Sequence, residues 1–197
     1  MLSSIHPLGE RAKGNSFRLT AAAFVIGAAA GGATTGAVVG AVGLAVRAVV
    51  PASVGLAVVV VVALAGAAFE RTGRPLPSVP RQVDEDWLHE YRGWVYGAGF
   101  GFQLGAGGLT YITTAAVYVA LAATLLVGHL AASVAIMGTF GLLRGLSILP
   151  ARRIDTPDHL VSFHRRLQAT APLVRRASTS ALVVAGLLGG VALLGEL

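Results

Sequence analysis

The chain has no cysteine among its 197 residues. That excludes a disulfide framework, a thiolate metal site and a dithiol redox relay built from its own side chains. Charge is also scarce: charged residues make up 12% and only nine are acidic, whereas a soluble domain carries about 25%. Its apolar runs do not alternate polar with apolar residues, which excludes barrel strands. The sequence holds no phosphate-binding glycine loop, zinc-protease signature or nucleophile elbow, and its Gly-x-Gly runs sit inside apolar stretches with no preceding strand. The expectation is a protein without catalytic residues, resident metal or cofactor.

What is present is hydrophobicity, at 55% of residues and a mean hydropathy of +0.74. Apolar runs at 19–46, 50–69, 93–149 and 177–195 each approach or exceed the roughly 20 residues that a helix needs to cross a bilayer core. The sequence therefore predicts an all-α, polytopic bundle of transmembrane helices forming one domain over 1–197. The first run follows Arg11, Lys13 and Arg18 and is too long for a signal-peptide core, so it reads as a retained span.

Fourteen of the fifteen Lys and Arg residues fall in three polar stretches, and Arg47 is the exception. Basic residues concentrate on the cytoplasmic side. The 57 residues from Gly93 to Leu149 contain only Arg144 as a charge and can hold two or three crossings. Two crossings keep the N-terminal arm and loops 70–92 and 150–175 on one side, so the reading is five spans with the amino terminus inside an inner (plasma) membrane. The spans are 19–46, 50–69, 93–127, 130–149 and 176–195. The third, at about 52 Å against a core of about 30 Å, is too long to be straight, and Gly105, Gly107 and Gly108 mark the bend or break. The net charge of +6 is explained by this flanking arginine and by an anionic leaflet without invoking nucleic acid.

Gly32, Gly36 and Gly40 in the first span, and Gly93, Gly97, Gly101 and Gly105 in the third, recur every four residues. Small residues at this spacing let helix backbones approach in lipid, where burying a leucine gains little. Such ladders serve packing, within the chain or against other membrane subunits or a second copy, or they line a cleft. Thr34, Thr35, Gln103, Thr110, Thr113 and Thr114 beside them keep a solute-holding cleft open, because polar groups buried in a bundle must be hydrogen-bonded. Val25–Gly31 also resembles Val95–Gly101, an offset of 70 that would make a parallel repeat.

Trp87, Tyr91 and Trp94 at i, i+4 and i+7 suggest an aromatic belt at the headgroups, where Arg144, Arg165 and Arg166 also reach phosphate. Asp84, Glu85, Asp86, His89 and Glu90 are suitable ligands for a divalent ion, but also read as a solvated face paired with Arg81 and Arg92. Thr156-Pro157-Asp158 is a helix start, and Leu160, Phe163 and Leu167 then line one face of a short amphipathic helix lying on the inner leaflet.

The stretch from Tyr96 to Thr114, with the glycine-rich first span, resembles membrane proteins of the CcdA/DsbD cytochrome c biogenesis class and their transporter relatives. The resemblance implies inverted three-helix repeats that move reducing equivalents through a pair of membrane cysteines beside prolines. This chain has neither the cysteines nor those prolines, so no catalytic residue is carried over. The functional expectation is a small transporter-like membrane protein that passes or holds a solute, or else a non-catalytic subunit or assembly factor docking other membrane helices.

Overall fold

The computed structural model describes residues 5–78, 87–108 and 112–195, with the side chain of His89 excepted. Its elements are α1 (Pro7–Ala12), α2 (Phe17–Val49), α3 (Ala52–Arg71), α4 (Trp87–Glu90), α5 (Gly93–Gly105), α6 (Ala116–Leu126), α7 (Leu130–Leu146), a 3-10 turn (Leu149–Arg153) and α8 (Pro157–Gly195). The described residues thus form an all-α bundle. Four segments are long and apolar enough to cross a membrane: α2, α3, α7 with its 3-10 turn, and α8.

Helix α2 is the axis. Its Gly27 and Gly31 abut the Ala98 and Phe102 backbones of α5, while Gly101 and Gly105 abut Phe24 and Ala28, so the two helices run parallel. On another face Gly32 meets Met137 and Gly141, and Gly36 meets Ser133, so α7 runs antiparallel. Further along, Gly43 touches Leu125 of α6. The outer pair is α3 with α8, also antiparallel: Gly186 lies on Leu64 and Gly189 on Val60.

The two ladders therefore do not face each other. Gly97, Gly101 and Gly105 pack on α2, but the first-span partners are Gly27 and Gly31. Gly32, Gly36 and Gly40 turn to α7 instead. The reason is angular: Gly27 and Gly31 share one side of α2, and Gly32 is 100° further round. The two similar segments, Val25–Gly31 and Val95–Gly101, lie side by side.

The third span is broken at the glycines that mark it: α5 ends at Gly105, α6 begins at Ala116, and Gly107 in between has φ +78°, a conformation that glycine takes without a Cβ penalty. Two other expectations need correction. The interfacial helix and the last span are one continuous helix, α8, of 39 residues. Pro172 lies within it at an exposed position, where solvent can take up the carbonyl that proline leaves without a donor. Finally, Trp87 and Tyr91 meet edge to face at 5.6 Å, but Trp94 belongs to the next helix and does not share their face. The chain bends at Tyr91, and Trp87 turns back to stack on Phe100 at 6.1 Å, while Tyr91 and Trp94 stay exposed.

The outward sides of α3 and α8 present bare apolar side chains, among them Val54, Val61, Leu187, Leu188 and Val191. Soluble monomers rarely expose contiguous patches of this kind, so this surface suits lipid.

Candidate functional site

Two carboxylates are buried in separate settings, Glu10 in the N-terminal arm and Glu70 near the end of α3, and neither is among the residues that the sequence singled out. Glu10 is fully buried. It accepts hydrogen bonds from the Thr20 hydroxyl at 2.7 Å and from the Tyr96 hydroxyl, and Lys13 Nζ lies 5.5 Å from the Tyr96 ring centre. Gly93 makes room: a Cβ there would sit 2.4 Å from Thr20 Oγ1 and 2.9 Å from Glu10 Oε2. His6 caps α1 by accepting from the Gly9 N–H at 3.1 Å, and burial holds its imidazole below its ordinary pKa. Leu8 N–H donates to the Ile154 carbonyl, and Ile5 enters a core with Phe24, Tyr96, Phe100 and Ile148. Glu10 thus pins the N-terminal arm across this end of α2, α5 and the 3-10 turn. Its role is architectural.

Glu70 has a different setting. It is 7% exposed at the end of a buried stripe of α3 that runs Ala63, Ala67, Glu70. One carboxylate oxygen accepts from the Ala115 N–H at 2.7 Å and the Thr114 hydroxyl at 2.8 Å, with the Ser178 hydroxyl at 3.5 Å. The other accepts from the Thr179 hydroxyl at 2.8 Å. Thr114 and Ser178 are themselves 2.6 Å apart. Among the described residues no basic group makes an ion pair with Glu70. Three helices therefore close on one anionic group through hydroxyls and the Ala115 N–H at the N-cap of α6. That amide suits a negative charge because a helix N-terminus carries partial positive charge. The break in the third pass creates this site, since a continuous helix would have its Ala115 N–H bonded internally.

The described residues of the predicted cleft are not brought together. Thr34 and Thr113 are exposed, Thr35 donates to the Ala106 carbonyl at 3.2 Å, Gln103 is half-buried, and Thr110 lies outside the described residues. Only Thr114 of that set reaches the carboxylate. Asp84, Glu85 and Asp86 of the acidic cluster also lie outside the described residues, as does the side chain of His89. Arg144 is half-buried 5.6 Å from the Phe140 ring, its Nη1 without a hydrogen-bond partner among the described residues, whereas Arg165 and Arg166 are exposed.

The chain is similar to MauF. The methylamine utilization protein MauF of Paracoccus versutus is 36% identical over 98 residues, covering 48% of this chain and 35% of that protein. The MauF of Paracoccus denitrificans is 31% identical over 134 residues, covering 65% of this chain and 48% of that protein. The chain thus spans less than half the length of either curated relative. These relatives are not CcdA/DsbD proteins. No family model matches, and no solved structure matches significantly.

Glu70 could have been found in the sequence by its helical register. It follows Ala63 and Ala67 at i+7 and i+3 on a stripe of small residues, the side of an apolar helix that turns inward. Ser178 and Thr179 carry a weaker signal, as adjacent hydroxyls opening the last apolar run.

Proposed function

We propose that the chain is a small, non-enzymatic, multi-pass membrane component that passes or holds a small cation, with Glu70 as the group that meets it. The supporting observation is a buried carboxylate whose partners among the described residues are all neutral, at the junction of a broken pass with two long helices. Ionisable groups within membrane segments are costly and mark ion and substrate paths, and interrupted helices are where carriers place such sites. The likeness to methylamine utilization proteins supplies the class of cation, a small primary ammonium.

The chemistry fits. An alkylammonium offers three N–H donors and accepts none, whereas serine and threonine hydroxyls can donate or accept. In the closed site Thr114, Ser178 and Thr179 donate toward Glu70. Rotating those hydroxyls presents three oxygens and a carboxylate to the cation, with charge neutralised by charge. The arginine-rich end is the cytoplasmic side by the distribution of basic residues, and the inner membrane is the natural location. The route does not follow the glycine ladders, because the α2 backbone lies directly on α5 and α7.

Uptake of labelled methylammonium by liposomes containing the purified chain tests this reading. Glu70→Gln keeps an acceptor for the Ala115 N–H but removes the charge. Uptake by wild-type chain that falls about tenfold or more in Glu70→Gln supports the proposal, as expected when a charge-assisted hydrogen bond becomes a neutral one. Equal uptake by both overturns it. A second reading, a subunit or assembly factor, draws on the bare face of α8 at Leu187, Leu188, Val191 and Leu194. Loss of a co-purifying membrane partner in Leu188→Ser, with no methylammonium uptake by the wild type, favours that reading.

A further inference from the structure

A second feature lies beside the N-terminal arm, where Leu8 N–H meets the Ile154 carbonyl, and involves neither carboxylate. Between the 3-10 turn and the first three turns of α8 is a cavity of about 690 Å³. From α8 it is lined by His159, Ser162, Phe163, Arg166, Leu167 and Thr170. These positions are spaced i, i+3, i+4, i+7, i+8 and i+11, so they form one helix face. The opposite wall brings Arg152 and Arg153 together with Leu149, Pro150 and Ile154. Three guanidinium groups thus share a lining that contains no carboxylate. The adjacent acidic residue, Asp155, is engaged by His159 Nδ1 at 2.5 Å.

We infer that this cavity is a binding site for the headgroup phosphate of an anionic phospholipid. Guanidinium groups recognise phosphate bidentately and hold it more specifically than a point charge does, while Ser162 and Thr170 add hydroxyl donors. The apolar wall selects a lipid over a soluble anion. Leu149 is 40% exposed, and directly above it on α7 the side chains of Leu142, Leu143 and Leu146 are exposed as well. A headgroup in the cavity therefore has an apolar track beside it for its acyl chains. Basic pockets between membrane helices on the positively charged side bind such headgroups. The inference also explains the continuity of α8: a lipid wedged against residues 159–170 braces the long lower half of a helix whose buried residues are only Leu182 and Gly186.

Native mass spectrometry of the full chain in detergent provides the test. Phosphatidylglycerol and phosphatidylcholine of identical acyl chains are titrated separately. The wild-type chain is expected to retain one phosphatidylglycerol at roughly a tenth of the concentration needed for phosphatidylcholine. The variant Arg152→Gln/Arg153→Gln/Arg166→Gln should lose that preference. Arg165→Gln/Arg175→Gln, outside the cavity lining, should keep it. Ser162→Trp fills the cavity without changing charge and should also lose the bound lipid, which covers the case in which the triple variant fails to fold. Equal retention of the two lipids overturns the inference, as does an equal loss in the Arg165/Arg175 variant. Displacement of the lipid by millimolar inorganic phosphate would reassign the site to a soluble anion and likewise overturn it.

Discussion

Replacing Gly31 by alanine adds a single methyl group where α2 lies on α5. The new Cβ would stand 2.1 Å from the Phe102 carbonyl oxygen, 2.8 Å from its carbon and 2.9 Å from its Cα. For that oxygen to reach ordinary contact at 3.4 Å, the helices must part by about 1.3 Å, and the obstacle is backbone that cannot rotate away. Gaps of 0.5–1 Å already forfeit roughly a quarter to a half of each contact's attraction. The same strip carries Gly27 against Ala98, Gly101 against Phe24 and Gly105 against Ala28, so parting at Gly31 loosens all of them. Overpacking costs about 1–3 kcal/mol, and more against rigid atoms, while alanine regains up to about 1 kcal/mol of helix propensity. The expected net loss is about 2 kcal/mol. Gly190 is the control, because a Cβ there meets nothing within 4 Å and Gly190→Ala should be neutral or slightly stabilising. The assay is reversible unfolding of the purified chain from mild detergent into dodecyl sulfate, followed by circular dichroism. A Gly31→Ala protein as stable as Gly190→Ala would refute the close approach of α2 and α5.

Glu70→Ala leaves the Ala115 N–H without its acceptor and frees Thr179 from its bond to α3. It should cost about 2–4 kcal/mol in the same unfolding assay, from an unsatisfied buried donor plus lost charged hydrogen bonds, whereas Glu70→Gln should cost about 1 kcal/mol. Equal stability of the two variants would mean that the hydroxyl clasp contributes nothing. His6 is predicted to make docking of α1 pH-dependent. Its burial lowers the folded-state pKa below 6.5, so the unfolded arm binds the extra proton and the stabilisation is complete above about pH 6.5 and lost as pH falls through the lowered folded value. Protonation at Nδ1 also removes the acceptor for Gly9. Protection of the Gly9 amide, taken relative to its intrinsic exchange rate at each pH, should fall below pH 6.5 in the wild type but not in His6→Asn, since asparagine caps without titrating; identical pH profiles would contradict this.

Helix content, the apolar character and the weak point in the third span were all legible in the sequence, because each depends on local chemistry: hydropathy, glycine frequency, and a run too long for one straight crossing. Residues that act at a distance were harder to read. Glu10 sits among Arg11 and Lys13, and Glu70 beside Arg71, so both look like ordinary flanking charge. Only the fold brings Tyr96 and Thr20 to one, and Thr114, Ser178 and Thr179 to the other. The ladder partners could not be read, because a four-residue spacing marks one face of a helix but does not say which neighbour faces it, and α2 has glycines on several sides. Pro172 was taken as part of a loop, although an exposed proline need not end a long helix. The threonines did not share a place, as Thr35 bonds the Ala106 carbonyl while Thr114, beyond the break, turns to Glu70 and its neighbour Thr113 faces outward.

The account stands most directly on one carboxylate meeting one small cation. Titration calorimetry of methylammonium into the purified chain in detergent, with wild type and Glu70→Gln side by side, measures that contact without requiring transport. The structure leads us to expect saturable binding at one cation per wild-type chain and none in Glu70→Gln, with both proteins folded by circular dichroism. Unchanged binding in Glu70→Gln, or no binding by the wild type, would contradict it.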